Sequence, residues 1–273
     1  MPTIVDHDHT VSLLAEEFEA LEQFGASLTD SQWNSPTSLP GWSVRDNLSH
    51  IVGTESMLLQ LAPPEIDVPE LGHIKNAIGS ANEVWVESMR GLSGTEMVDR
   101  LRDVSSRRLT ALRAMTQADF DAPSWTPAGP NETYGRFMRI RHFDCYLHEH
   151  DMRSAVGADD RLTPSHLDSA LDEVATGLGF VVGKRAGMPP GSRVRIAITG
   201  PVSREFLIAV DERAAVVDTL DGPATVELEM PAMVFLRLTG GREDAAPHLD
   251  VDVTLHGDRE LASRLAEHLA FTI

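Results

Sequence analysis

The sequence is poor in basic residues, and lysine is the scarcer of the two. The chain of 273 residues contains 42 Asp and Glu against 23 Lys and Arg, which gives a formal net charge of −19. The lysines are Lys75 and Lys184, so arginine supplies nearly all of the positive charge. Phosphates and anionic lipid headgroups repel a chain with this balance. We therefore expect neither nucleic acid nor a membrane surface as a partner.

Cysteine and long apolar runs are scarce too. The single cysteine, Cys145, excludes an intramolecular disulfide and a cysteine-rich zinc module. No apolar run reaches the ~20 residues that a membrane-spanning helix needs. The N-terminal sequence MPTIVDHDHT has neither the basic start nor the apolar stretch of a signal peptide. These absences predict a soluble, cytoplasmic protein.

The first 157 residues show helical periodicity between segments rich in proline and glycine. Ser43 and Asp46 have the spacing of a capping box, which predicts a helix that begins at Val44. Helices are predicted over residues 10–28, from Val44, over 73–91, from Thr95 and through 139–156. Long helices with short or proline-rich connections are typical of an up-and-down bundle. We predict that residues 1–157 form such a bundle.

The pattern changes in residues 158–273. Pro164 is suited to the first turn of a helix, which is predicted over residues 165–184. Apolar and alternating runs of strand length follow at 192–200, 204–211, 224–230 and 248–257, with helices predicted at 231–242 and 258–269. We therefore predict a smaller α+β domain with a mostly antiparallel sheet.

The stretch 139–156, RIRHFDCYLHEHDMRSAV, crowds histidines, acids and arginines into about five helical turns. Asp144 and His148 are four residues apart, so both side chains project from one face and can bind a single ion. His50, on the helix that begins at Val44, is the candidate for a third ligand. The rival ligands within the stretch are His142, Glu149, His150 and Asp151. His142 and His150 are expected on other faces of the helix.

Two imidazoles and a carboxylate suit zinc, and also nickel, iron or manganese. Three protein ligands with an open fourth position are typical of a catalytic metal site. We therefore predict that His50, Asp144 and His148 bind a divalent ion, with zinc favoured and nickel or iron as alternatives.

Three segments carry a family resemblance: LTDSQW (28–33), PTSLPGWSVRDNLSH (36–50) and RHFDCYLHEHDMR (141–153). They resemble the mycothiol-dependent maleylpyruvate isomerase family, within the DinB-like group of metal-binding four-helix bundles. The resemblance implies that His50, Asp144 and His148 hold the metal, although the isomerase itself has Glu where this chain has Asp144. The C-terminal part resembles the sterol-carrier-like domain that often follows.

The family implies a thiol cofactor, mycothiol, whose sulfur takes the open metal position. A divalent cation lowers the pKa of a coordinated thiol, so no protein cysteine is needed as nucleophile. In the isomerase the thiolate adds to a cis double bond, and rotation and elimination give the trans product. Trp42 and Asp46 are our candidates for binding the cofactor. Arg237 and Arg242 are candidate catalytic residues that would bind the carboxylate of an anionic substrate.

The function expected is that of a metal-dependent, thiol-using isomerase or S-transferase acting on a small electrophile, as a monomer or homodimer. One alternative is a metal-dependent hydrolase that activates water, with Asp46 or Glu149 as the base. A second is a ligand-binding protein without catalytic activity. The sequence leaves the substrate open.

Overall fold

The computed structural model describes residues 2–272, and the chain divides into two compact units between Arg161 and Leu162. The helices of the first unit are α1 (His7–Ser27), α2 (Asp30–Trp33), α3 (Val44–Leu58), α4 (Ala77–Met89), α5 (Gly94–Arg113), α6 (Gln117–Phe120) and α7 (Tyr134–Ala155). The predicted fold class, a helical bundle followed by a smaller domain with a mostly antiparallel sheet, is confirmed.

Four long helices form the bundle of the first unit. α1 packs against α5 and α7, and α3 packs against the same two helices from the other side. α4 lies against α3. Each long helix contributes fully buried apolar side chains to one core, among them Phe18, Leu48, Leu101 and Met138. Burial of such a side chain stabilises the fold by about 1.5–3 kcal/mol, so the apolar stripes determine which helix faces meet.

The start of α3 is fixed by its capping box, as predicted. The backbone N–H of Asp46 donates to Ser43 Oγ, and the backbone N–H of Ser43 donates to Asp46 Oδ2 at 2.8 Å. These two bonds satisfy donors that the first turn of a helix leaves without partners. α3 therefore begins at Val44, and the positions of Asn47 and His50 along the helix follow from that start.

A short hairpin lies where the sequence predicted only a polar loop. β1 (Pro123–Thr126) pairs antiparallel with β2 (Gly129–Thr133). The strands are four and five residues long and contain two prolines. Alternation over so few residues gives too weak a signal to predict a strand.

Within residues 162–272, the second unit is a five-stranded sheet with three α-helices. It contains α8 (Pro164–Phe180), a π-helical segment (Val181–Arg185), β3 (Arg193–Thr199), β4 (Arg204–Val210), β5 (Ala214–Val217), β6 (Val226–Pro231), α9 (Ala232–Thr239), β7 (Thr254–Gly257) and α10 (Arg259–Glu267). The strand order is β5-β4-β3-β6-β7. Only the pairing of β3 with β6 is parallel among the described strands of this sheet.

Two details of the second unit differ from the predicted elements. The strand predicted over 248–257 is shortened to Thr254–Gly257, because residues 248–253 form a turn in which Asp250 adopts a φ of 60°. The predicted helix over 165–184 ends in the π-helical segment. Gly183 lies in this segment, and a Cβ there would be 2.9 Å from Ala214 Cβ, so glycine permits the segment to approach β5.

No helix among residues 2–272 combines the length and the apolar character that crossing a membrane requires.

Candidate metal centre

Two of the predicted ligands lie on α7. The Oγ of Thr133 accepts the N–H of Arg136 and caps the helix, which then continues without interruption to Ala155. Asp144 and His148 project from one face of α7, as their spacing predicted, and His148 Nε2 lies 3.5 Å from Asp144 Oδ1. A carboxylate and an imidazole thus lie side by side on one rigid element.

His50 reaches this pair from α3. Its Nε2 atom lies 3.1 Å from Asp144 Oδ2, and the ligand atoms of His50, Asp144 and His148 all lie within 4.8 Å of one another. Both histidines are buried, whereas the side chain of Asp144 is 29% exposed. The structure therefore brings the three predicted residues together, with Asp144 on the side that faces solvent.

Trp42 covers the two histidine rings. Its ring centroid lies 5.3 Å from that of His50 and 5.9 Å from that of His148. The indole Nε1 donates to Glu83 Oε2 at 3.0 Å, which holds the ring in place. The two histidine rings meet edge to face, with centroids 4.8 Å apart. Trp42 therefore forms a wall of the site, and its position limits how the rings can turn.

Asn47 determines which nitrogen of His148 is available. His148 Nδ1 lies 2.7 Å from Asn47 Oδ1. The amide group of Asn47 is itself oriented, because its Nδ2 donates to the Ser43 carbonyl oxygen at 2.9 Å. Oδ1 must then accept from His148, so the proton of the neutral imidazole is on Nδ1 and the lone pair is on Nε2. Nε2 is the nitrogen that faces Asp144.

A chain of buried charges continues from Asp144 into the bundle. Arg141 Nη1 donates to Asp144 Oδ2, and Arg141 Nε donates to Glu55 Oε1 at 2.9 Å. On its other oxygen, Glu55 accepts from Arg108 Nε at 2.8 Å. Arg108, Glu55 and Arg141 are all buried. Opposite charges alternate along this chain, so each buried charge has a partner of opposite sign.

The protonation states at the site are those that a cation needs. Burial lowers the pKa of His50, so its imidazole is neutral at neutral pH. Burial on its own would raise the pKa of Asp144, but Arg141 and the two histidines together outweigh it, and the pKa of Asp144 lies well below its ordinary value. Neutral imidazole and ionised carboxylate are the forms that bind metal. The donor set therefore fits a divalent ion.

Asp151 Oδ2 lies 3.3 Å from His148 Nδ1, whereas Asp46, Glu149 and His150 have other partners. Asp46 Oδ2 accepts the bonds of the capping box, and its Oδ1 lies 3.4 Å from Arg90 Nε. Glu149 pairs with Arg153 and Arg161. His150 Nδ1 lies 2.7 Å from the Tyr146 carbonyl oxygen. These contacts explain where Asp46, Glu149 and His150 lie. None of them involves a candidate ligand.

Cys145 follows Asp144 directly but has a different environment. Its side chain is fully buried, and burial raises the pKa of its thiol well above the ordinary value. Arg141 Nη2 lies 3.4 Å from its sulfur. A thiol of this kind is a poor nucleophile, because the reactive species is the thiolate.

Arg237 and Arg242 belong to the second unit. Arg237 lies in α9, with its Nε 3.6 Å from Glu243 Oε1. Arg242 follows α9, and its Nη1 donates to the Gly240 carbonyl oxygen at 2.6 Å. Their part in binding substrate stays a prediction.

Asn47, Glu55 and Arg141 are residues around the site that the sequence analysis did not single out. Asn47 lies three residues before His50, and Arg141 lies three residues before Asp144. Each therefore shares a helix face with a predicted ligand, which is the signal that would have identified it. Glu55 gave no such signal, because its contact to Arg141 joins residues 86 positions apart.

The fold and the geometry together define a helical bundle in which two helices supply a candidate divalent-metal site, followed by a smaller α+β unit. The family model described as the mycothiol maleylpyruvate isomerase N-terminal domain matches residues 14–153, and the one described as the MDMPI C-terminal domain matches residues 168–264. The chain belongs to this family, which is named for an enzyme. The sterol-carrier-like description of the C-terminal domain is not confirmed, since the model that matches there is the family's own.

Solved structures with the same fold carry the name of that enzyme. The crystal structure of the mycothiol-dependent maleylpyruvate isomerase is 14% identical, with a TM-score of 0.58, and the alignment covers 93% of this chain and 95% of that one. A mutant of the isomerase with a histidine replaced by alanine gives 14% identity, a TM-score of 0.57 and the same coverage. At this identity the similarity shows the fold. No curated protein sequence gives a significant match.

Proposed function

We propose that this protein is a divalent-metal-dependent enzyme that uses mycothiol as cofactor to transform a small electrophilic substrate, by isomerisation or by thiol transfer. The proposal depends above all on the convergence of His50, Asp144 and His148 within 4.8 Å of one another, from two helices of the bundle. Family membership supplies the cofactor class.

The three side chains would hold the ion through two imidazole nitrogens and one carboxylate. Zinc suits this donor set, and nickel and iron are the alternatives. When bound, such an ion would lower the pKa of a thiol sulfur at its open position and so supply a thiolate at neutral pH. The buried thiol of Cys145 does not compete for that role, because burial keeps it protonated.

The surrounding residues prepare the site for a cation. Asn47 keeps the Nε2 lone pair of His148 directed at Asp144. Trp42 packs on both histidine rings and would exclude water from one side of a bound cofactor. Asp46 acts through the start of α3, because its capping bonds place Asn47 and His50. We assign Trp42 to direct contact with the cofactor and Asp46 to positioning.

Arg237 and Arg242 are proposed to bind the carboxylate of an anionic substrate. A guanidinium group donates two parallel bonds to a carboxylate, which arginine does better than lysine. Alanine at either position should raise KM for an anionic substrate and leave the metal content unchanged. An unchanged KM in both variants would remove these two residues from the proposal.

The contacts of Asp46 and Glu149, the candidate bases, argue against the hydrolase alternative. Asp46 is engaged by its capping bonds and by Arg90, and Glu149 is engaged by Arg153 and Arg161. A general base needs a lone pair within reach of the proton that it takes up. Their ion pairs would have to break before either carboxylate could act.

The test is a turnover assay on the metal-loaded protein with maleylpyruvate and with other small cis-unsaturated or epoxide electrophiles. We expect no turnover with either metal or thiol alone, and turnover when the metal-loaded protein receives mycothiol. Hydrolysis of an ester or amide without added thiol would replace this proposal with the hydrolase. Affinity for an apolar ligand combined with no thiol binding would favour the non-catalytic alternative.

A further inference from the structure

Asp144 differs from the other two candidate ligands because it has a cationic partner within the protein. Arg141 Nη1 donates to Asp144 Oδ2, the same oxygen that lies 3.1 Å from His50 Nε2. The second oxygen, Oδ1, lies 3.5 Å from His148 Nε2. One carboxylate oxygen is therefore directed toward each histidine ring, and Arg141 holds the group in that orientation.

Arg141 is fixed by contacts on its other side. Its Nε donates to Glu55 Oε1 at 2.9 Å, and the side chain is 4% exposed. Glu55 also accepts from Arg108, whose side chain is 3% exposed. Because Arg108 also pairs with Glu55, the buried negative charge of Glu55 would keep a cationic partner without Arg141. Unlike Arg108, Arg141 also pairs with Asp144.

The short side chain of Asp144 bears on the role of its contact with Arg141. An aspartate side chain is one methylene shorter than a glutamate side chain, so its oxygens reach less far from the helix axis. With one torsion fewer, the main freedom left to the carboxylate is rotation about its last bond, and a donor to Oδ2 limits that rotation. A hydrogen-bond partner that orients a ligating carboxylate in this way typically raises the affinity of a metal site.

We propose that Arg141, anchored by Glu55, is a positioning residue for the metal ligand Asp144, and that the Glu55–Arg141 pair determines the affinity of the site for its ion. The inference builds on the proposed function, because it assumes that the three residues bind a divalent metal. It assigns Arg141 no contact with the substrate or with the ion.

The experiment measures the affinity for Zn²⁺ by competition with a chromogenic chelator, in the wild-type protein and in Arg141→Gln, Arg141→Lys and Arg108→Gln. Arg141→Gln should weaken binding by about 10–100-fold, the usual effect of losing a partner behind a metal ligand. Arg141→Lys, which keeps one cationic donor, should recover part of that loss. Arg108→Gln is the matched control, since it removes a buried arginine from the same chain but leaves Asp144 its partner. It should bind within about 3-fold of wild type.

Thermal unfolding of each metal-free variant distinguishes an effect on the position of Asp144 from an effect on the stability of the fold. If Arg141→Gln and Arg108→Gln lose similar stability but only the former loses affinity, Arg141 acts on the site. Equal losses of affinity in both variants would overturn the proposal and leave a purely structural ion-pair chain. Visible absorption of the Co²⁺-loaded proteins adds a second readout, because the spectrum depends on ligand geometry and should change in Arg141→Gln only.

The role of Glu55 as the anchor of Arg141 is tested by Glu55→Gln and by the double variant Glu55→Gln/Arg141→Gln. Because Glu55 acts through Arg141, the double variant should bind Zn²⁺ no more weakly than Arg141→Gln alone. Additive losses would contradict the chain of contacts. A wild-type protein that binds no Zn²⁺ would refute the proposed function instead, whereas wild-type-like affinity in Arg141→Gln would refute only this inference.

Discussion

The imidazole of His148 donates its Nδ1 proton to the side-chain oxygen of Asn47, 2.7 Å away and 101 residues earlier in the chain. Asn47 is fully buried, and its amide nitrogen donates to the Ser43 carbonyl oxygen, so the side chain cannot turn without losing that bond. Asp151 Oδ2 lies 3.3 Å from the same nitrogen, so Asn47, the closer partner, and Asp151 both favour a proton on Nδ1 of this proposed metal ligand.

Asn47→Leu should therefore weaken the binding of Zn²⁺ by about 10–100-fold, because His148 loses the closer of the two acceptors that favour a proton on its Nδ1. Competition with a chelator measures the effect. Ser49→Ala is the control: Ser49 is buried on the same helix, and its Oγ contacts Met97 Sδ at 3.8 Å. It should bind as wild type. An equal loss in both variants would mean that α3 had simply been loosened.

The close approach of α3 and α4 predicts a cost for adding a methyl group at Gly53. A Cβ there would lie 2.4 Å from Trp85 Cβ, so the two helices would have to move apart. Gly53→Ala should lower the free energy of unfolding by about 1–3 kcal/mol, the usual cost of overpacking. Urea unfolding measures it.

Gly79→Ala on α4 is the control for that helix pair. The nearest atoms to a Cβ at Gly79 lie 3.7 Å away, so the methyl group has room. Alanine should leave stability unchanged or raise it by up to about 1 kcal/mol, because it favours the helix more than glycine does. If both variants were equally stable, the helix contact at Trp85 would be looser than the distance indicates.

Cys145 should not react with a chromogenic thiol reagent while the protein is folded. Its side chain is fully buried, and burial raises its pKa well above the ordinary value, so neither access nor thiolate is available. After denaturation the single thiol of the chain should react completely. Cys145→Ala should keep its metal and its thiol-dependent turnover. Loss of turnover with metal retained would give the cysteine a catalytic role.

His248 should make the stability of the second unit depend on pH. Its hydrogen bond to Asp252 and its contact with Glu243 outweigh burial and raise the pKa above the ordinary value of 6.5. The protonated form therefore stabilises the fold. That contribution is fully present below the pKa of the unfolded chain and is lost as the pH rises through the higher pKa of the folded state.

His248→Gln should cost up to about 1 kcal/mol at about pH 5.5 and almost nothing at about pH 8.5, because half-exposed ion pairs are weak. Urea unfolding at the two pH values measures the difference. A larger cost at the higher pH would contradict the direction of the shift.

Local spacing accounts for the parts of this structure that the sequence could predict. Ser43 and Asp46 identified the start of α3, and the four-residue spacing of Asp144 and His148 placed both side chains on one face of α7. The helical bundle and the mostly antiparallel sheet followed from the apolar periodicity of longer segments. In each case the signal lies within a few residues of the chain.

The parts that could not be predicted depend on packing between distant segments. Glu55 meets Arg141 only because α3 and α7 pack together, and no spacing in the sequence encodes that contact. The hairpin of β1 and β2 and the short strand β5 contain too few residues for a pattern to emerge. The turn at residues 248–253 depends on the positive φ of Asp250, a conformation that few residues other than glycine adopt.

Elemental analysis of the protein purified without chelator and then supplied with Zn²⁺ tests the metal site most directly. We predict about one divalent ion per chain in the wild type and in Ser49→Ala, and almost none in His50→Ala, His148→Ala or the double variant, because two remaining ligands do not make a stable site. A folded wild-type protein that takes up no ion, or a folded His50→Ala/His148→Ala protein that keeps its ion, would contradict the proposal that these side chains form the metal site.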